Sequence, residues 1–178
     1  APTEVTLQQG LDSYAGASDS YIHLWNPDSN FGAQTQLWVR SDAEPYPYAS
    51  ALLRFDVTTI PAEALIKAAT LKLSIAGSGT TDNRRMDISS YGVRRPWDAN
   101  EVTWNQARSG DLWAAAGCND TEIDRDAGPS DTDTITSTTN SPVLTVTDLV
   151  QRWVADPASN YGMLLLGSGT QSGVYSFA

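Results

Sequence analysis

The sequence predicts an almost all-β fold, an antiparallel β-sandwich with one short helix. Three observations carry that prediction. Apolar and polar residues alternate over short runs, and Gly, Pro, Asn and Asp separate those runs. The polar fraction leans on Ser, Thr, Asn and Asp, with only two lysines, Lys67 and Lys72, so residues that favour exposed helix are scarce. At 178 residues the chain fits one domain, 1–178, with enough volume for a real core.

The elements follow in order. In TQLWVR, Leu37 and Val39 fall on one face, Trp38 and Arg40 on the other. In ALLRFDV, Leu53, Phe55 and Val57 oppose Leu52, Arg54 and Asp56, and in ATLKLSI, Leu71, Leu73 and Ile75 alternate with Lys72 and Ser74. MDISSYGV, PVLTVTDL and GMLLLGS are further runs of strand length. The exception is VTDLVQRWVADP. Its Leu149, Val150, Trp153 and Val154 recur at helical spacing, with Thr147 placed to cap and Pro157 just beyond the end, which predicts a helix near Asp148–Val154. Asp98 and Glu101 in DANE form a capping-box pattern for a single turn.

Two loops are near copies. PDSNFG (27–32) precedes TQLWVR, and PASNYG (157–162) precedes MLLLGS. Turn chemistry accounts for each residue type, because Asn enters the left-handed region cheaply and an aromatic can plug the end of a sandwich. On that reading Asn30 and Asn160 cap backbone groups. The competing reading makes the paired loops the frame of a site.

Charge and inventory then exclude functions. A formal net charge of −10 argues against nucleic acid and anionic membranes, both of which recognise a basic footprint. Cys118 is the only cysteine, so no intrachain disulfide is possible, and no stretch approaches a membrane span. His23, the only histidine, sits in the strand-like YIHLW without a nearby nucleophile turn. No Gly-rich phosphate loop or Cys/His metal spacing occurs, and Asp is too abundant for any one carboxylate pair to stand out as catalytic. Trp97, Trp104 and Trp113 read as core residues packing a long connection onto the sandwich, and Trp153 as the apolar stripe of the helix.

The run SALLRFDVTTIPAEALIKAATLKLSI, then VRRPWDANEVTWNQARSGDLWAAAG, then TVTDLVQRWVADPASNYGMLLLGSG resembles the disaggregatase-related (DNRLRE) domains, which overlap with carbohydrate-binding module family 96. DSYIHLWNPDSNFG fits the same pattern, so the resemblance covers almost the whole chain. It implies a jelly-roll sandwich joined to secreted or surface polysaccharide-degrading proteins of bacteria or archaea, with acidic polysaccharides, notably alginate, as ligands. Beginning at Ala1 and ending on VYSFA, the chain reads as a module of a longer protein.

Strand alternation offers a matching surface. If their strands share a sheet, Arg40, Arg54 and Lys72 form a cationic band with Trp38 among them, extended by Arg84 and Arg85 from a loop. Guanidinium groups pair bidentately with carboxylate or sulfate, and an indole face stacks on a sugar ring. Against this, Arg54 reads equally as a buried partner of Asp56 or Asp98. The acidic segment 117–133 offers oxygens at alternate positions in Asp124-x-Asp126 and Asp131-x-Asp133, a pattern that suits a structural calcium, though a solvated acidic loop explains it too. The expected function is a non-catalytic module that holds a covalently attached enzyme on an acidic polysaccharide, without nucleic acid or membrane insertion. A structural or adhesive surface module is the alternative.

Overall fold

The computed structural model describes residues 2–42, 47–76, 84–136 and 141–178. Strand takes up 36% and helix 9%, so the predicted all-β class holds. The strands are β1 (Ala17–His23), β2 (Leu37–Ser41), β3 (Pro47–Phe55), β4 (Thr70–Lys72), β5 (Met86–Gly92), β6 (Gln106–Arg108), β7 (Asp111–Leu112), β8 (Asp131–Ile135), β9 (Val143–Thr145), β10 (Met163–Ser168) and β11 (Gly173–Phe177), with helix α1 at Thr147–Ala155. The main sheet runs β11-β2-β3-β10-β5-β8, and β1 covers the free edge of β3. Every pairing is antiparallel.

β3 organises this sheet. Along one edge it pairs with β1 from Ala49 to Phe55. Its other edge is shared, with Leu53–Ala51 facing β10 and Ala49–Pro47 facing β2. One strand with three partners makes the sheet curl. The two-stranded β4–β9 sheet is tied to β11 through a bridge between Ile75 and Phe177.

Two cores lie on opposite faces of the central strands. The larger gathers Ala51 and Leu53 of β3, Met163 and Leu165 of β10, Leu71 of β4, Leu144 of β9, Tyr175 and Phe177 of β11, and Leu149, Trp153 and Val154 of α1. The second takes Ile22, Leu52 and Leu164 from the reverse faces and packs them against Trp97, Trp104 and Trp113 of the connection between β5 and β8. The tryptophans expected to fasten a long connection onto the sandwich do so. Leu52, on the same face as Arg54 and Asp56 as the alternation predicts, is fully buried because that connection covers it.

The helix forms as its apolar spacing predicts, one residue longer at each end. Its cap differs. Val146 occupies the N-cap without a side-chain bond, while the Thr147 hydroxyl accepts from the Ala69 amide at 3.0 Å. The Asp98/Glu101 capping box is also replaced: Asp98 accepts from Asn100 N–H at 2.8 Å, and Glu101 reaches the Ser109 amide at 2.9 Å.

The twin loops solve one problem twice. Asn30 donates its amide to the carbonyls of Ala99 (2.9 Å) and Val102 (2.8 Å) and accepts from Gly32 N–H (3.1 Å). Asn160 donates to the Phe55 carbonyl (2.8 Å) and accepts from Gly162 N–H (3.2 Å). Each glycine lets the loop approach a distant backbone: a Cβ on Gly32 would lie 2.0 Å from the Ala99 carbonyl oxygen, and one on Gly162, at φ +74°, 2.1 Å from that of Leu53. Phe31 stacks on Tyr21 at the first core, while Tyr161 packs on the second. Both loops are therefore ties between distant segments. Replacing either asparagine by alanine strands two or three backbone groups. Asn30→Ala and Asn160→Ala should each lower stability by about 1–3 kcal/mol. Thermal denaturation should show both melting several degrees early, and a wild-type Tm in both would contradict the tie.

Candidate functional site

β1 ends at His23, and a turn closed by Asn26 N–H on the His23 carbonyl (3.1 Å) throws the next aromatic, Trp25, outward. Trp25 is 55% exposed, whereas Trp38 is half-buried and the other four tryptophans are buried. The Arg40 guanidinium carbon sits 4.2 Å from the centre of the Trp25 ring. Tyr48 and His23 tilt against the same indole at 5.2 and 5.4 Å between ring centres. The register explains the meeting, since Ala49 of β3 lies opposite His23 on one side and Arg40 on the other. Its small side chain leaves that row open.

The electrostatics are set by the same neighbours. His23 Nδ1 accepts from the Trp25 amide at 3.1 Å, which fixes the neutral tautomer with its proton on Nε2. Burial, reinforced by the Arg40 charge, holds the imidazole below its ordinary value of 6.5. Among the described residues Arg40 makes no ion pair, so its charge is directed at an aromatic face and solvent. A cation over an exposed indole offers both a stacking surface and a fork for an anion.

The expected cationic band is not assembled. Arg40 and Trp38 do share a face of β2, but Trp38 forms an inner wall: Phe31, Tyr21 and Trp38 stack almost parallel, with centres 4.3 and 5.8 Å apart. Arg54 lies opposite Ser18 at the far end of β3, 5.5 Å over the Trp97 ring rather than paired with Asp56 or Asp98. Lys72 is exposed on β4, opposite Val143, in the separate two-stranded sheet, and this breaks the premise that the three strands are neighbours. Arg84 donates to the Ser172 carbonyl (3.2 Å) beside Gly173, which pairs with Ser41 of β2, so it stands at the Arg40 end of the sheet. Arg85 is exposed beside Asp87 at 3.5 Å.

The acidic segment satisfies its own carboxylates. Asp124 is fully buried and accepts from the amides of Ala114 (3.0 Å), Ala115 (2.9 Å) and Asp120 (3.3 Å) and from Arg95 (3.3 Å). Arg95 also pairs with Asp111. Asp126 pairs with Arg152 of α1 at 2.8 Å. Asp131 and Asp133, on β8, accept from the β9 amides of Thr145 (2.6 Å) and Val143 (2.9 Å), standing in for strand pairing. Among the described residues no group of three or more His, Cys, Asp or Glu is placed to hold a metal. Cys118 is buried and its thiol is pushed up by that burial, which removes it as a nucleophile.

Trp25 is the residue the sequence reading passed over. The signal was present: in YIHLWNPD it follows an alternating strand and precedes a turn, a position where a large aromatic has little to pack against.

Residues 12–178 match carbohydrate-binding module family 96, and the chain belongs to that family. No curated protein matches it. Carbohydrate-binding modules are generally non-catalytic and commonly extracellular. Among the described residues no helix is long and apolar enough to cross a membrane.

Asp124→Ala removes one of the two carboxylates that Arg95 pairs with and the shared acceptor of three part-buried amides, and should cost about 1–3 kcal/mol by denaturant titration. EDTA should leave the wild-type Tm unchanged; a drop reversed by calcium would show that the segment draws on a cation. His23 should also make the stability of the fold depend on pH. Its folded pKa lies below its unfolded value, so its contribution is complete above pH 6.5 and is lost as pH falls through the folded pKa. Tm should fall on acidification below neutrality, and His23→Asn, which keeps an acceptor for the Trp25 amide, should flatten that slope.

Proposed function

We propose that this family 96 module binds an acidic polysaccharide such as alginate through the Trp25–Arg40 platform, and that it holds a covalently attached polysaccharide-degrading enzyme against the polymer at a secreted or cell-surface location. One observation carries the reading: an exposed indole with an unpaired guanidinium 4.2 Å over its face. A sugar ring stacks its C–H face on the part of Trp25 left open, while the Arg40 N–H groups take the ring carboxylate. Tyr48 and His23 hold the indole in place, so little entropy is lost on binding.

The net charge of −10 does not oppose this. Repulsion from distant carboxylates is screened beyond about 8 Å at physiological salt, so the local cation decides the contact. Modest affinity suffices, because attachment to the polymer raises the effective concentration of the enzyme there.

Affinity electrophoresis in gels containing alginate tests the reading. Trp25→Ala and Arg40→Ala should each weaken retardation about 5- to 150-fold, corresponding to about 1–3 kcal/mol, while Lys72→Ala stays at wild type. Added salt should weaken binding further. No retardation by any polysaccharide would favour a structural or adhesive module. Salt-independent binding that survives both substitutions would place the site elsewhere.

A further inference from the structure

At the far end of β3 the N-terminal segment, the end of the strand and the second twin loop border an open cleft of about 450 Å³, lined by Gly16, Ser18, Arg54, Asp56, Thr58 and Asn160 among others. We propose that this cleft is a second carbohydrate subsite for one uronate-type unit, a ring bearing a carboxylate and hydroxyls. The choice of an acidic sugar rests on the function proposed above; the existence of the site does not depend on the Trp25 platform.

Arg54 carries the inference. The residue is half-buried, and its guanidinium lies 5.5 Å over the Trp97 ring. It makes no hydrogen bond or ion pair there, which leaves five N–H donors to a ligand or solvent. The nearest candidate in sequence, Asp56, is engaged elsewhere: its carboxylate accepts from Thr58 N–H at 2.8 Å and from the Thr58 hydroxyl. Those bonds hold the Asp56 carboxyl below the usual carboxylate range. An unpaired guanidinium beside a satisfied carboxylate selects a particular ligand. The cation binds one anionic group, the carboxylate disfavours a multiply charged group in the same cleft and accepts hydroxyl protons, and Ser18 adds a hydroxyl of its own. A singly charged, hydroxyl-rich ring meets all three conditions, whereas a phosphate or sulfate cluster meets only the first.

The cleft is also preformed. Asp56 N–H bonds the Gly16 carbonyl at 2.9 Å, and Tyr14 Oη donates to the Asp56 carbonyl at 3.1 Å. Gly16 admits no side chain, since a Cβ would lie 2.7 Å from that of Asp56. Asn160 anchors the opposite wall to the Phe55 carbonyl at 2.8 Å. The volume falls in the ordinary range for small-ligand sites of about 300–1,000 Å³. Ala49, opposite Arg40, and Arg54 are separated by an odd number of strand positions, so the two sites sit on opposite faces of β3 and engage separate stretches of polymer.

Sodium glucuronate titrated into isotope-labelled protein, followed through the backbone-amide, arginine side-chain and tryptophan indole N–H resonances, tests this. The Arg54 signal should shift saturably in the wild type and equally in Arg40→Ala. Arg54→Gln, or Ser18→Gln, which fills the cleft from β1, should abolish the response of the Thr58 amide and leave the Trp25 response intact. A response at Trp25 with none at Arg54 overturns this site alone; a response at Arg54 with none at Trp25 overturns the platform alone. Silence at both overturns both. An equal Arg54 shift with glucose or acetate overturns the assignment to a uronate.

Discussion

The double burial of β3 is the constraint on which the rest of the molecule depends. Ala51 and Leu53 face the larger core while Leu52, between them, faces the second, and all three are at most 7% exposed. A strand so enclosed cannot slip by one residue, because a slip would exchange the two cores' side chains. The fixed register places Ala49 between His23 and Arg40 at one end and Arg54 opposite Ser18 at the other. Both candidate sites are thus consequences of a single strand's alignment. The twin asparagine loops reinforce it, since Asn160 holds the Phe55 carbonyl at the end of β3 and Asn30 holds the connection that forms the second core.

Charge is distributed by the same economy of position. The carboxylates of the acidic segment bond to amides, to Arg95 and to Arg152, so much of the formal negative charge is engaged in holding a loop-rich connection onto the sheet. Among the described residues, Arg40 and Arg54 are two of the cations without a carboxylate partner, and both lean on tryptophan rings. An aromatic face stabilises a guanidinium without consuming its in-plane N–H groups, which remain free for a carboxylate. That is the physical reason an acidic domain can present local sites for an acidic polymer.

Much of the fold was legible in the sequence, since alternation and turn residues report directly on half-buried strands. β2, β3, β5, β10 and α1 fall where the patterns put them. β8 escaped notice because DTDTI reads as a solvated acidic run: its aspartates face a neighbouring backbone rather than a core, and no hydropathy pattern marks that. The band of Arg40, Arg54 and Lys72 failed for a different reason. Alternation gives the face of a residue within its own strand but not which strands are neighbours, and β4 pairs with β9. Trp25 was missed because it lies just past a strand, in a turn that no period describes.

Trp25 is the only exposed tryptophan, so collisional quenching of indole fluorescence reads it above the five others. The most direct test of the platform is therefore acrylamide quenching with and without a saturating acidic polysaccharide. The account predicts that the readily quenched component is protected when the polymer binds and is missing from Trp25→Ala. A bound polymer that leaves the quenching of Trp25 unchanged would contradict it.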